Sequence, residues 1–122
     1  MIFVFGSNVL GIHGAGAAKH AYENCGAKWG IGFGHHGNSF AIPTKWTPWK
    51  FMSVTEIAQF VDLFLHYAKT YPNLQFQLTP IGCGLAGHSP KDIAPMFANS
   101  PSNVHLPKEF EDELRRVSKE SQ

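Results

Sequence analysis

Short apolar runs alternate with helical patterns along this chain, and that alternation limits the fold more than any other feature of the sequence. The apolar runs predict strands over residues 2–5, 40–44, 74–81 and 103–107. Helices are predicted after each strand, over residues 15–26, 53–71, 89–98 and 108–120. Residues 29–39 are expected to form a loop or a loose hairpin. This order predicts an α/β domain whose mainly parallel sheet is covered by helices.

The longest predicted helix has the clearest start. Ser53 can cap it, and Glu56 follows three residues later, which is the pattern of a capping box. Apolar residues recur with helical spacing from Val54 to Ala68, and Pro72 ends the pattern. We therefore expect one apolar side of this helix to pack against the rest of the domain.

Length and composition narrow the class of protein. The chain has 122 residues, which predicts one domain spanning residues 1–122, and 43% of them are hydrophobic, enough to build a core. A formal charge of +1 provides no basic surface, so nucleic acid is not an expected partner. No apolar run approaches the roughly 18 residues of a membrane span. The two cysteines are too few for a disulfide framework. We therefore expect a cytoplasmic protein without a membrane partner.

Two glycine-rich loops each follow a predicted strand and precede a predicted helix. The first, GIHGAG, covers residues 11–16, and the second, IGCGLAG, covers residues 81–87. Loops in this position lie at the carboxyl-terminal edge of a parallel sheet, where ligands bind in such folds. Glycine lets backbone N–H groups approach a phosphate at the N-terminus of a helix. The loops therefore indicate a diphosphate site, although the first loop taken alone fits a tight turn equally well.

Other motifs in the sequence indicate a functional site less clearly than the two glycine-rich loops. A Walker loop requires lysine directly after its last glycine, where this chain has Ala17. A G-x-G-x-x-G match at residues 32–37 leads into a predicted strand instead of a helix, so we interpret it as chance. His35 and His36 have no acidic or cysteine partner at ligand spacing, so no metal site is predicted. Cys83 has no assigned base, which is typical of a small packing residue.

The paired loops resemble those of macro domains, which bind ADP-ribose. The residues that follow the macro pattern of an asparagine, a leucine and a glycine cluster are Asn8, Leu10, His13, Gly14 and Gly16. The GAG loop, the TKW strand end, the long helix and the PIGCGLAG loop follow the order of one branch, the terminal ADP-ribose glycohydrolases. The resemblance covers about residues 1–107 and extends to compact macro-like proteins of phages. It implies a compact three-layer α/β/α sandwich with a mainly parallel, mixed sheet.

The resemblance also implies site residues. Lys45 matches the lysine that attacks the anomeric carbon in the glycohydrolase branch, and a partly desolvated lysine can act as a nucleophile. That branch has an acid/base aspartate directly after IGCGL, where this chain has Ala86. His13 and His88 are the nearest residues that could replace it. The implied ligand-binding set is Ser7, Asn8, His13, Gly14, Ala15, Gly16, Pro80, Ile81, Gly82, Cys83, Gly84, Leu85, Ala86 and Gly87.

We therefore expect the chain to bind ADP-ribose or a related NAD-derived nucleotide, free or attached to a macromolecule, with weak or absent hydrolysis. General acid–base catalysis contributes about 10²–10⁴ in rate, so alanine at position 86 favours binding over turnover. Two alternatives stay open: an ADP-ribosyl hydrolase that uses Lys45, and an interaction scaffold whose contact patch is WTPWKF at residues 46–51. Trp46 and Trp49 can stack on the ligand or cover the sheet. No cofactor is expected.

Overall fold

The computed structural model describes residues 1–120 and has an α/β fold. Its strands are Ile2–Asn8 (β1), Gly34–His36 (β2), Ser39–Thr47 (β3), Lys50–Phe51 (β4), Phe76–Leu78 (β5) and Val104–His105 (β6). Its α-helices are Gly16–Asn24 (α1), Val54–Thr70 (α2), Pro90–Ile93 (α3) and Lys108–Glu120 (α4), and a 3-10 turn, Ala94–Phe97, follows α3. None of the helices within residues 1–120 is long and apolar enough to cross a membrane.

The strands form one mixed sheet in which most pairings are parallel. The strand order is β2-β3-β1-β5-β6, and β4 pairs with β3. β1 lies at the centre and runs parallel to β3 and β5, and β5 runs parallel to β6. β2 and β4 each pair antiparallel with β3. The predicted α/β class with a mainly parallel sheet is confirmed.

Several element boundaries differ from the sequence prediction for local reasons. Residues 34–36 lie in the segment expected to be a loop or loose hairpin, and they form β2 by antiparallel pairing with β3. β5 ends at Leu78, before the predicted end at residue 81, because Pro80 has no N–H with which to extend the ladder. α3 stops at Ile93 and the chain tightens into a 3-10 turn, since Pro95 has no N–H with which to continue the helix.

Apolar side chains on β1 and β3 alternate between two buried clusters. Val4 and Phe40 belong to the larger cluster, which also contains the buried side chains of α2, such as Phe64. Phe5 and Ala41, the next residues along their strands, belong to a smaller cluster with Ala18 and Ala21 of α1. Because successive side chains of a strand point to opposite faces, the sheet has apolar packing on both faces.

The start of α2 has the predicted capping box. The Ser53 Oγ accepts a hydrogen bond from the Glu56 N–H at 3.2 Å, and the Ser53 N–H donates to Glu56 Oε1 at 2.9 Å. Ile57, Val61 and Phe64 are fully buried on one side of the helix. The cap and the apolar stripe together fix where α2 begins and which side it packs against the sheet.

Candidate functional site

A cavity of about 450 Å³ opens at the carboxyl-terminal ends of β1, β3 and β5. The glycine-rich loops after β1 and β5 form much of its wall, as the order of elements predicts for a parallel sheet. The described residues that line it are Gly6, Ser7, Asn8, Ile12, Gly14, Ala15, Gly16, Ala17, Ala18, Thr44, Lys45, Pro48, Thr79, Pro80, Ile81, Gly82, Cys83, Gly84, Leu85 and Ala86.

Most of the predicted site residues meet at this cavity. Lys45 and the predicted ligand-binding residues line it, except for His13 and Gly87, which are not lining residues. His88, the other candidate proton carrier, is also outside the lining. The lining residues that the sequence prediction did not name are Gly6, Ile12, Ala17, Ala18, Thr44, Pro48 and Thr79. Several of these directly adjoin predicted site residues in the chain, which is the signal that could have identified them.

The loop after β1 is shaped by the side chain of Asn8. Its Nδ2 donates to the carbonyl of Ile12 at 2.9 Å, and its Oδ1 accepts from the N–H of Ile12 at 3.1 Å. Gly32 packs directly under this loop, since a Cβ added there would lie 1.9 Å from the Asn8 carbonyl oxygen. Gly32 is therefore needed for close packing. The G-x-G-x-x-G match that begins with Gly32 does not form a phosphate-binding loop.

The N-terminus of α1 contributes backbone donors to the cavity wall. This helix begins with Gly16, Ala17 and Ala18, which line the cavity. The N–H groups of these first residues have no acceptor within the helix. No side chain caps the helix at Ala15, and its first turn contains no acidic residue. The partial positive charge of this helix end therefore remains available to an anion in the cavity.

The loop after β5 wraps the opposite part of the cavity. Gly82 has a φ of +75°, and a Cβ added there would lie 3.0 Å from Ile93 Cδ1, so other residues fit poorly. Leu85 reaches toward the first loop, since its Cδ1 lies 3.8 Å from the position of a Cβ added at Gly16. Burial raises the pKa of the Cys83 thiol, with smaller contributions from Glu109 and Asp92. The thiol is therefore protonated at neutral pH and is a poor nucleophile.

Lys45 is the single charged side chain among the described residues that line the cavity. Its Nζ lies 5.8 Å from the centroid of the Phe51 ring, and it forms no salt bridge with a carboxylate within residues 1–120. Ala86 is 5% exposed and provides no polar atom beyond its backbone. The lining therefore combines one cation, a helix N-terminus and no carboxylate.

The two candidate histidines are held by hydrogen bonds behind or beside the cavity. His13 is 1% exposed, with Nδ1 2.7 Å from Ser7 Oγ and Nε2 2.8 Å from the carbonyl oxygen of Lys28. Nε2 of His88 donates to the carbonyl of Met52 at 2.8 Å. His13 therefore connects with the cavity through Ser7, and His88 helps to hold the second loop against the start of α2.

The tryptophans and the paired histidines lie outside the cavity lining. Trp46 and Trp49 flank Pro48, which is a lining residue, and Trp49 is 84% exposed at the turn between β3 and β4. Both ring nitrogens of His35 are engaged, with the Tyr67 hydroxyl at 2.7 Å and the Gly37 carbonyl at 3.0 Å. In the part of the chain that the structure describes, no three histidine, cysteine or acidic side chains are grouped as metal ligands would be.

No family model, no curated protein and no solved structure matches this chain. Free backbone donors at a helix N-terminus, one lysine and a lining without carboxylates fit a ligand that carries negative charge.

Proposed function

We propose that the protein binds ADP-ribose or a related NAD-derived nucleotide in this cavity, with weak or absent hydrolysis. The observation that carries the proposal is the charge of the lining, which has the N-terminus of α1 and Lys45 but no acidic residue. A diphosphate is the part of the nucleotide that this lining would hold. The resemblance of both loops to those of macro domains supports the same ligand.

The size and placement of the cavity also support this ligand. Its volume of about 450 Å³ lies within the roughly 300–1,000 Å³ of small-molecule sites. Glycines in both loops allow a phosphate to approach the backbone closely.

Because the sheet has apolar packing on both faces, we further propose a compact three-layer α/β/α arrangement of the macro-domain kind. We infer a cytoplasmic setting because both cysteines are free thiols.

A second candidate function is hydrolysis of an ADP-ribosyl linkage with Lys45 as the nucleophile. It is favoured by one observation, the position of Lys45 in the cavity wall without a carboxylate partner within residues 1–120. Binding remains the first candidate because Ala86 cannot transfer a proton and neither His13 nor His88 lines the cavity.

Isothermal titration of the protein with ADP-ribose tests the proposed function. We expect saturable heat at submillimolar ligand, together with a rise in Tm, because a ligand that binds only the folded state stabilises it. Ribose without phosphate should bind far more weakly, since it lacks the diphosphate. Absence of both heat and thermal shift at millimolar ADP-ribose contradicts the proposal.

Matched lysine variants locate the binding site. Lys45→Ala should weaken ADP-ribose binding about tenfold or more, since a hydrogen bond to a charged group contributes roughly 1.5–3 kcal/mol. Lys50→Ala is the control, because Lys50 is exposed on the neighbouring strand β4 and does not line the cavity. Equal loss of affinity in both variants would indicate a general charge effect and a site elsewhere.

A further inference from the structure

A buried serine–histidine pair adjoins the cavity, and its hydrogen bond has a geometry that nucleotide binding does not require. Ser7 is a lining residue, and its Oγ lies 2.7 Å from Nδ1 of His13. The carbonyl oxygen of Lys28 lies 2.8 Å from Nε2 of the same ring. A carbonyl oxygen can only accept, so Nε2 carries a proton, and in the neutral ring Nδ1 accepts the hydroxyl proton of Ser7. His13 is therefore in the tautomer whose Nδ1 can accept a proton from Ser7.

We propose that Ser7 is the nucleophile of an esterase activity in this cavity, with His13 as its base and a carboxylic ester as the substrate class. A nucleophile, a base and a group that orients the base, each within hydrogen-bond reach of the next, are the parts that activate serine for acyl transfer. Here the orienting group is the backbone carbonyl of Lys28. This activity goes beyond nucleotide binding and does not depend on it.

Packing holds the histidine in position for this role. His13 is 1% exposed, and its ring makes edge contacts with Phe5 and Trp29, with centroid distances of 5.4 and 6.2 Å. A ring fixed by aromatic contacts and by two hydrogen bonds needs little reorganisation when it accepts a proton. The carbonyl of Lys28 then stabilises the imidazolium by accepting from Nε2–H.

The same cavity contains donors for the negative charge that forms during acyl transfer. The first-turn residues of α1, Gly16–Ala18, line it together with Ser7, and no side chain caps their N–H groups. Backbone N–H groups at a helix N-terminus can stabilise the oxyanion of a tetrahedral intermediate. Lys45 adds a positive charge to the same lining.

The reaction balances without any reagent other than water. Ser7 Oγ gives its proton to Nδ1 of His13 and bonds to the ester carbonyl carbon, while the carbonyl electron pair moves to oxygen. The intermediate collapses, the bond to the alcohol oxygen breaks, and the alcohol leaves with the proton from Nδ1. Water then gives a proton to Nδ1 and attacks the acyl carbon, and Ser7 Oγ leaves and regains that proton. The net products are one carboxylic acid and one alcohol.

Labelling with a small alkyl fluorophosphonate tests the proposal on the wild-type chain. An activated serine displaces fluoride and keeps the phosphonyl group, and peptide mass spectrometry identifies which serine carries it. We expect the adduct on Ser7 and none on Ser39. Ser39 is the internal control, because it is also buried and donates to the carbonyl of His36 but does not line the cavity.

Variants of His13 test whether the ring acts as the base. We expect His13→Gln to slow labelling of Ser7 about 100-fold, in line with the loss of general-base catalysis. Added imidazole should restore part of the labelling in His13→Ala, which a purely structural role would not allow. The proposal is overturned if the wild-type chain carries no adduct on Ser7, or if folded His13→Gln is labelled as fast as the wild type.

Discussion

Lys45 and Ala86 line the same cavity but differ in the chemistry they could offer to the proposed nucleotide. The side chain of Lys45 can pair with a phosphate as an ammonium group or attack an electrophilic carbon as a free amine, and it forms no salt bridge within residues 1–120. Ala86 is buried in the wall and has no group that transfers a proton. At the scale of single residues, Lys45 is compatible with both proposed functions, and Ala86 favours binding over hydrolysis.

Replacing Ala86 by aspartate should convert binding into turnover. We expect the wild type to release ADP-ribose from an ADP-ribosylated protein at or near background and Ala86→Asp to release it about 100-fold faster, because a carboxyl group then provides acid–base catalysis. Free ADP-ribose is measured by chromatography over time. Ala98→Asp is the control, since Ala98 is exposed and outside the cavity. Adding Lys45→Ala to Ala86→Asp should abolish the gain, and a release rate that does not depend on Lys45 contradicts the lysine mechanism.

At the scale of elements, the start of α2 combines a hydrogen-bonded cap with a charge. The hydrogen bond from the Ser53 N–H lowers the pKa of Glu56 below its ordinary 4.5, and the Ser53 hydroxyl and Trp46 add to this effect. A carboxyl group whose pKa is lower in the folded state contributes stability above its unfolded pKa. That contribution disappears as the pH falls through the folded value.

The Glu56→Ala variant should therefore show a pH-dependent loss of stability. At neutral pH we expect its free energy of unfolding to lie below that of the wild type, and the difference to shrink once the pH falls below 4.5. Urea denaturation at several pH values gives the two curves. Thr55→Ala, an exposed change in the same turn, should differ from the wild type by the same amount at every pH. A pH-independent difference for Glu56→Ala would show that its charge adds nothing to the cap.

The sequence predicts those elements whose signals are local. The capping box and apolar stripe of α2 are contained in one stretch, and the strand–loop–helix order is enough to bring both glycine loops to one sheet edge. β2 has three residues and β4 has two, which is too short for a hydrophobic period to be recognised in the sequence. Both strands form because they pair with β3. The burial of His13 depends on the Lys28 carbonyl, fifteen positions further along the chain, which no local pattern indicates.

At the scale of the whole molecule, one buried side chain links the end of α2 to the neighbouring strands β5 and β6. The amide nitrogen of Asn103 has two hydrogens, which it shares among the carbonyl oxygens of Ala68, Tyr71 and Leu74, at 2.9, 3.2 and 3.0 Å. Asn103 is 5% exposed and directly precedes β6, and its own carbonyl accepts from the N–H of Phe76 in β5. This residue therefore couples α2, β5 and β6 into one unit, which includes one of the strands that end at the cavity.

Removing the amide of Asn103 should weaken the whole domain and leave its unfolding cooperative. We expect Asn103→Ala to lower the free energy of unfolding by about 1–3 kcal/mol, the cost of leaving buried carbonyl groups unpaired. Asn103→Asp should cost more, because a carboxylate cannot donate to three carbonyls and would be a buried charge. Urea unfolding followed by tryptophan fluorescence and circular dichroism should give coincident curves for each variant. Asn73→Asp, an exposed change in the neighbouring turn, is the control. If Asn103→Ala unfolds at the wild-type urea concentration, the side chain of Asn103 does not stabilise the contact between these elements.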